Sequence, residues 1–194
     1  MRVLASLLLA ASAAPAPQDA LPLPAAEVRA LTGRVTLYAE RERTELTRTL
    51  GTRRVRGLGL AEAGPAAGFE AAWRGWGSLR ARGRSSLSFA VDAPPEGKPT
   101  VELELRHFDR LEVETRRGRF RLALPEGWGT EVHGAALSLK QRVDGTLELH
   151  HRGGEPVVVR DRAGRGGRWP RRLVGGQSLL LPPLEERVGS RAGK

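Results

Sequence analysis

Between Val101 and Leu124 the sequence alternates apolar and charged residues again and again, and few backbones tolerate that pattern. "TVELELRH" sets Val101, Leu103 and Leu105 against Glu102, Glu104 and Arg106. "RLEVET" sets Leu111 and Val113 against Glu112 and Glu114, and "RFRLAL" sets Phe120, Leu122 and Leu124 against Arg119 and Arg121. A period of two sends successive side chains to opposite faces, so each run reads as a strand with one face in a core and one in water. "GRVTLYA" (Val35, Leu37) and "SLSFAV" (Leu87, Phe89, Val91) repeat the pattern, and turn segments such as "APPEGKP" and "PEGWG" separate the runs. Spacing of this kind predicts an all-β, antiparallel sandwich or rolled sheet of about ten to twelve short strands, with no helix beyond about two turns.

Parity extends the reading to two hairpins, because a slip of one residue turns a buried face outward. In "LSLKQRVDGTLEL" the apolar positions 137, 139, 147 and 149 are all odd. A three-residue loop, Val143-Asp144-Gly145, satisfies that parity, puts Gly145 in the left-handed conformation and sets Leu139 opposite Leu149. In "GFEAAWRGWGSLRAR" the same reasoning predicts a loop Gly75-Trp76-Gly77, with Gly77 left-handed and Arg82 opposite Glu70. Trp73 then faces the core, Trp76 sits at the tip, and Arg80 and Arg82 point to solvent.

The ends read differently from the body. "MRVLASLLLAASA" has one early cation, an apolar run and a small-residue finish, the order of a secretory signal over residues 1–13 cleaved after Ala13. That run is about half the ~20 residues a membrane span needs, and no later segment is longer, so no transmembrane segment is expected after the signal. Residues 14–25 read as a Pro/Ala-rich leader, residues 26–181 as the β domain, and residues 182–194 as a flexible tail. The expected location is periplasmic or secreted. With no cysteine, the domain folds without disulfides, and thiolate metal sites and cysteine nucleophiles are excluded.

Motifs for chemistry are absent. His150 and His151 are neighbours and point to opposite faces, while His107 at a strand end and His133 in a loop add no H-x-H, H-x-x-x-H or HExxH spacing. No G-x-S-x-G surrounds a serine. "GLGLAEAG" (57–64) reads as turn glycine rather than a dinucleotide loop. The pairs Glu102/Glu104 and Glu112/Glu114 read as solvated strand faces. No enzyme activity, catalytic residue, metal or cofactor is therefore expected.

Charge remains. The formal net charge is +10, and only Lys98, Lys140 and Lys194 among the 32 basic residues are lysines. The densest segment is "VRDRAGRGGRWPRR" (159–172), in which arginines surround one tryptophan. Arg162, Arg165, Arg168, Trp169, Arg171 and Arg172, together with Trp76, are the candidate contact residues. Their chemistry suits an anionic polymer, through charge from arginine and stacking from tryptophan. Nucleic acid is not the expected partner of an exported chain.

The order of elements resembles the FecR-like domain, an exported or periplasmic all-β bacterial module. The resemblance is carried by "LTGRVTLY" (31–38), "GFEAAWRGWGSLRARGRSSLSF" (68–89), "FDRLEVETRRGRFRLALPEGWGTEVHGAALSLKQRVDGTLELHHRGGEPVVV" (108–159) and "RRLVGGQSLLL" (171–181). It implies an envelope sensor, interaction or structural module that works through protein contacts without a cofactor. The signalling members join such a domain to a membrane helix and a cytoplasmic segment that controls a sigma factor. The sequence departs from that pattern, reading as a signal peptide with no cytoplasmic segment, so a free-standing binding or structural module is expected rather than a direct anti-sigma role. Its expected partner is another envelope protein, or alternatively an anionic envelope polymer held by Arg-rich loops.

Overall fold

The structure, a computed structural model, describes residues 23–94, 98–162 and 169–183. These form β1 (Ala26–Thr32), β2 (Arg34–Ala39), β3 (Glu42–Thr47), β4 (Thr52–Val55), β5 (Gly59–Ala63), β6 (Gly68–Trp73), β7 (Gly77–Asp92), β8 (Thr100–Thr115), β9 (Arg119–Ala123), β10 (Trp128–His133), β11 (Ala135–Gln141), β12 (Leu147–Gly154), β13 (Val157–Asp161), β14 (Arg171–Leu173) and β15 (Ser178–Leu181). Among the described residues the one helical element is a 3-10 turn, Pro125–Gly127. The fold is all-β, as the alternation predicts.

All fifteen strands belong to one sheet that is not closed into a barrel. Two strands of 16 residues, β7 and β8, run through both of its layers. The first layer has the order β14-β13-β10-β9-β8-β7-β5-β2-β3. The second has the order β4-β1-β6-β7-β8-β11-β12-β15. Gly77–Arg82 of β7 pairs with β6, whereas Ser85–Phe89 pairs with β5. Between them the β7–β8 register shifts twice, at Arg82/Ser85 and Ser86/Leu87, and Gly83 has φ +79°. Extra residues in one strand bend it, and this is where the sheet folds over.

The fold-over creates the core. Val28, Phe69, Ala71, Trp73, Leu79, Val113 and Leu137 face inward from the second layer, and Val35, Leu37, Phe89, Leu103, Phe120 and Leu122 face them from the first. Trp73 sits between the layers, edge-on to Phe89 (ring centroids 5.7 Å apart) and to Phe120 (5.2 Å). At the open edge Arg53 of β4 donates to Glu42 of β3 at 2.9 Å, a further tie between the layers.

Several details differ from the sequence reading. Among the described residues there are fifteen strands rather than about ten to twelve, although two pairs of runs read as separate strands are fused within β7 and β8. Pairing is antiparallel except for β8 with β9, which is parallel. The folding of β8 returns its end over its own start, so β9 lies beside Thr100–Glu104 instead of forming a hairpin. The segment read as turn glycine contains β5, with Gly59, Ala61 and Ala63 inward. A Cβ on Gly59 would collide with the Phe89 ring, so the missing side chain makes room for an aromatic from the neighbouring strand. His133 ends β10 rather than lying in a loop.

Candidate functional site

The candidate contact residues do not converge. Trp76 stands at the β6–β7 turn but folds back on the β8–β9 turn. Its carbonyl accepts from Arg116 N–H (2.8 Å) and Gly118 N–H (3.2 Å), and its side chain is half-buried. Trp169 packs on Trp128 with ring centroids 4.4 Å apart, and the Arg171 guanidinium lies 5.2 Å from the Trp169 ring centre. Trp128 in turn donates from Nε1 to Pro182 O at 3.2 Å. The two tryptophan clusters lie at opposite ends of β10, because Trp128 begins that strand whereas His133 at its end contacts Gly118 O (3.1 Å) beneath Trp76. That is roughly 17 Å of strand. Arg162 lies across Gly129, leaving no room for a Cβ there, and Arg172 is exposed on the outer face. Arg165 and Arg168 fall outside the described residues.

The histidines also separate. His150 points outward and shares a hydrogen bond with Ser178 Oγ (2.9 Å), while His151 points inward with no exposed surface. His151 Nε2 donates to Glu155 O at 2.8 Å, leaving Nδ1 buried without a partner. Among the described residues no three His, Asp or Glu side chains gather as a metal ion needs, and no helix is long and apolar enough to cross a membrane.

The outer face of the second layer carries a charge ladder that parity placed incorrectly. Glu70 lies opposite Arg80, not Arg82, and opposite Arg29 on its other side. Arg29 Nε donates to Oε2 (2.6 Å) and Arg80 Nε to Oε1 (2.7 Å). Glu70 is 6% exposed. Burial pushes its pKa up, but the hydrogen bonds from Arg80 and Arg29 and their charges outweigh burial, so the carboxyl lies below its usual value. A group depressed on folding adds stability that is present above its unfolded pKa and lost as pH falls through the folded one. Glu70→Gln is therefore expected to cost about 1.5–3 kcal/mol at neutral pH. It should also flatten the loss of stability on acidification, read from urea midpoints across the acid range.

One surface that the sequence reading did not single out has the character of a contact site. The β2–β3 hairpin closes with Ala39 opposite Glu42, leaving a two-residue loop of Glu40 (φ +53°) and Arg41 (φ +66°). Turns of this mirror type favour Asn and Gly, and side chains with a Cβ are strained by about 1–2 kcal/mol at each such position. Beside the loop lies a cleft of about 550 Å³ lined by Tyr38, Ala39, Arg41, Arg56, Leu58 and Leu60. Leu58 is 71% exposed and Tyr38 39%. Glu42 and Glu45 are engaged by Arg53 and Arg43, whereas among the described residues neither Arg41 nor Arg56 has a carboxylate within 4.0 Å. The signal in the sequence was the pair of apolar residues in "RGLGLAE", hidden because glycines suggested a turn.

No known protein family, curated protein or solved structure matches the chain.

Proposed function

We propose that the protein is a non-catalytic, exported module of the bacterial envelope, similar to FecR-like domains, and that it works by holding another envelope protein. The observation that carries the reading is the cleft at the β2–β3 hairpin. Exposed Leu58 and Tyr38 offer apolar area, while Arg41 and Arg56, which line it with Glu40 and Glu42, have no carboxylate within 4.0 Å among the described residues. Apolar patches with polar rims mark contact surfaces. A turn that keeps Glu and Arg where Asn and Gly cost less is strain of the kind found at functional sites.

The test is capture from envelope extract with the exported protein, whose N-terminal sequence is expected to begin at Ala14. A partner should be retained with little dependence on salt, and Tyr38→Ser with Leu58→Ser should release it while the melting temperature stays within a degree or two. Capture that is absent, or that survives the double variant, sinks this reading.

A second reading, an anionic polymer held by the Arg-rich segment, is favoured by the Trp128–Trp169–Arg171 cluster, in which the two indoles meet edge-on, and by exposed Arg160, Arg162 and Arg172. Charge from arginine with an aromatic platform is the chemistry of polyanion grooves.

A further inference from the structure

The outer face of the second layer holds a second arrangement of charge, distinct from both surfaces above. Strand register sets Arg82 of β7 opposite Arg110 of β8, and Arg110 opposite Lys140 of β11. All three are exposed, and their chain neighbours Ala81, Leu111 and Leu139 are buried, so the three cations stand in one row pointing to solvent. Like charges directly opposite one another destabilise a sheet.

Nearby carboxylates do not relieve the row. The next row along the same strands is neutralised, with Glu70 between Arg29 and Arg80, and Glu112 paired with Arg152. Glu148 of β12 lies directly opposite Lys140 but is engaged by Arg142 at 3.3 Å. Asp109 accepts from the Arg84 N–H at 2.8 Å, at the bulge. Among the described residues no carboxylate lies within 4.0 Å of Arg82, Arg110 or Lys140. The same face thus balances charge in one row and leaves it unbalanced in the next.

A cleft flanks the row at each end, and the Lys140 end also carries Glu148. Beyond Arg82 the opposed residue is Gly68, which has no side chain, and a cleft of about 560 Å³ opens there, lined by Arg29, Thr32, Ala66, Arg80 and Arg82. A second cleft, of about 340 Å³, is lined by Arg110, Ser138, Lys140 and His150 together with Glu112 and Glu148, whose carboxylates are engaged by Arg152 and Arg142. Neighbouring strands are ~4.8 Å apart, so the three cations span roughly 10 Å across the strands. We infer that this row is a binding track for a linear polyanion laid across the strands, with anionic groups recurring about every 5 Å. It shares only its anionic chemistry with the second reading above, and it uses none of the same residues.

The test uses the full chain with two probes, polyphosphate and polygalacturonate, each set against its monomer. Arg82→Gln, Arg110→Gln and Lys140→Gln are combined in one variant. A control variant combines Arg160→Gln, Arg171→Gln and Arg172→Gln and loses the same charge from the other segment. The row variant should bind polymer at least tenfold more weakly and reduce the salt slope by about 2, since each lost phosphate contact on a single strand removes about 0.7. The control should change binding less than twofold, and the row variant should melt no lower than the parent. Which polymer binds more tightly distinguishes a phosphate from a carboxylate chain. Equal weakening by both variants would reduce the effect to net charge, and weakening by the control alone would move the site to the Arg-rich segment. Monomers that compete as well as polymers, or a row variant that melts lower, would equally overturn the inference.

Discussion

Trp73→Ala is expected to cost about 3–5 kcal/mol, read as a fall in urea midpoint at unchanged slope. The indole is 1% exposed and stands between the two layers, edge-on to Phe89 and Phe120. Truncation removes both aromatic contacts, and the walls around it cannot close. Phe89 and Phe120, which meet it, are each held by strand pairing on both sides, so a cavity remains. Trp73→Phe should recover most of the loss, because a smaller ring can still meet both aromatics and the indole N–H is buried without a partner. Trp76→Ala should cost less, about 1–2 kcal/mol, since its side chain is half-buried and its two carbonyl hydrogen bonds survive in alanine. Equal losses from Trp73→Ala and Trp76→Ala would mean that the fold-over packs as tightly at the turn as at its centre.

How much of this was legible in the sequence depends on what each residue reports. Alternation reports which face of a strand is buried, and it placed Trp73, Leu103, Leu111 and Phe120 inside. Parity set the β11–β12 hairpin as it stands, with Leu139 opposite Leu149, Gly145 at φ +84°, and Arg142 N–H donating to Thr146 O at 2.9 Å across the loop. The same rule missed the β6–β7 hairpin by one residue, since Trp73 pairs with Gly77 and the loop is Arg74-Gly75-Trp76. Two glycines were eligible for the left-handed position, and Gly75 takes it at φ +77°. Gly77 is needed for another reason: a Cβ there would overlap Glu114 O and lie 2.9 Å from Thr115 Cα on β8. That contact comes from a strand 37 residues away, and local pattern does not report it. The bent strands were illegible for a related reason, since Ser85, Ser86 and "HFDR" interrupt the alternation where the sheet folds over. The three-cation row belongs in the same category. Arg82, Arg110 and Lys140 are each ordinary outward residues, and only the register of three strands makes them neighbours.

Gly154→Val is expected to be the most damaging single change on a glycine, at about 2–6 kcal/mol, the sum of ~1–3 for backbone strain and ~1–3 for overpacking. Gly154 ends β12 in the second layer, just before the chain crosses to β13 in the first, and it faces Gly134, where β10 crosses to β11. Its φ is +93°, a region that side chains rarely adopt, and a Cβ would overlap Gly134 O and lie 2.8 Å from Ala135 Cα. Both obstacles are backbone, so no rotamer change relieves them. The crossing is further pinned by Glu155 N–H donating to Gly134 O at 3.0 Å and by Thr115 Oγ1, which accepts from Ala135 N–H at 3.2 Å. A shift that admits valine must break these bonds and move two crossings together. Gly64→Ala is the control, because nothing lies within 4 Å of a Cβ there. It should be neutral or add about 0.4–1 kcal/mol by restricting the unfolded chain. If thermal melts of the two variants coincide, the crossing yields more easily than its hydrogen bonds imply, and the layers are held by the core around Trp73 alone.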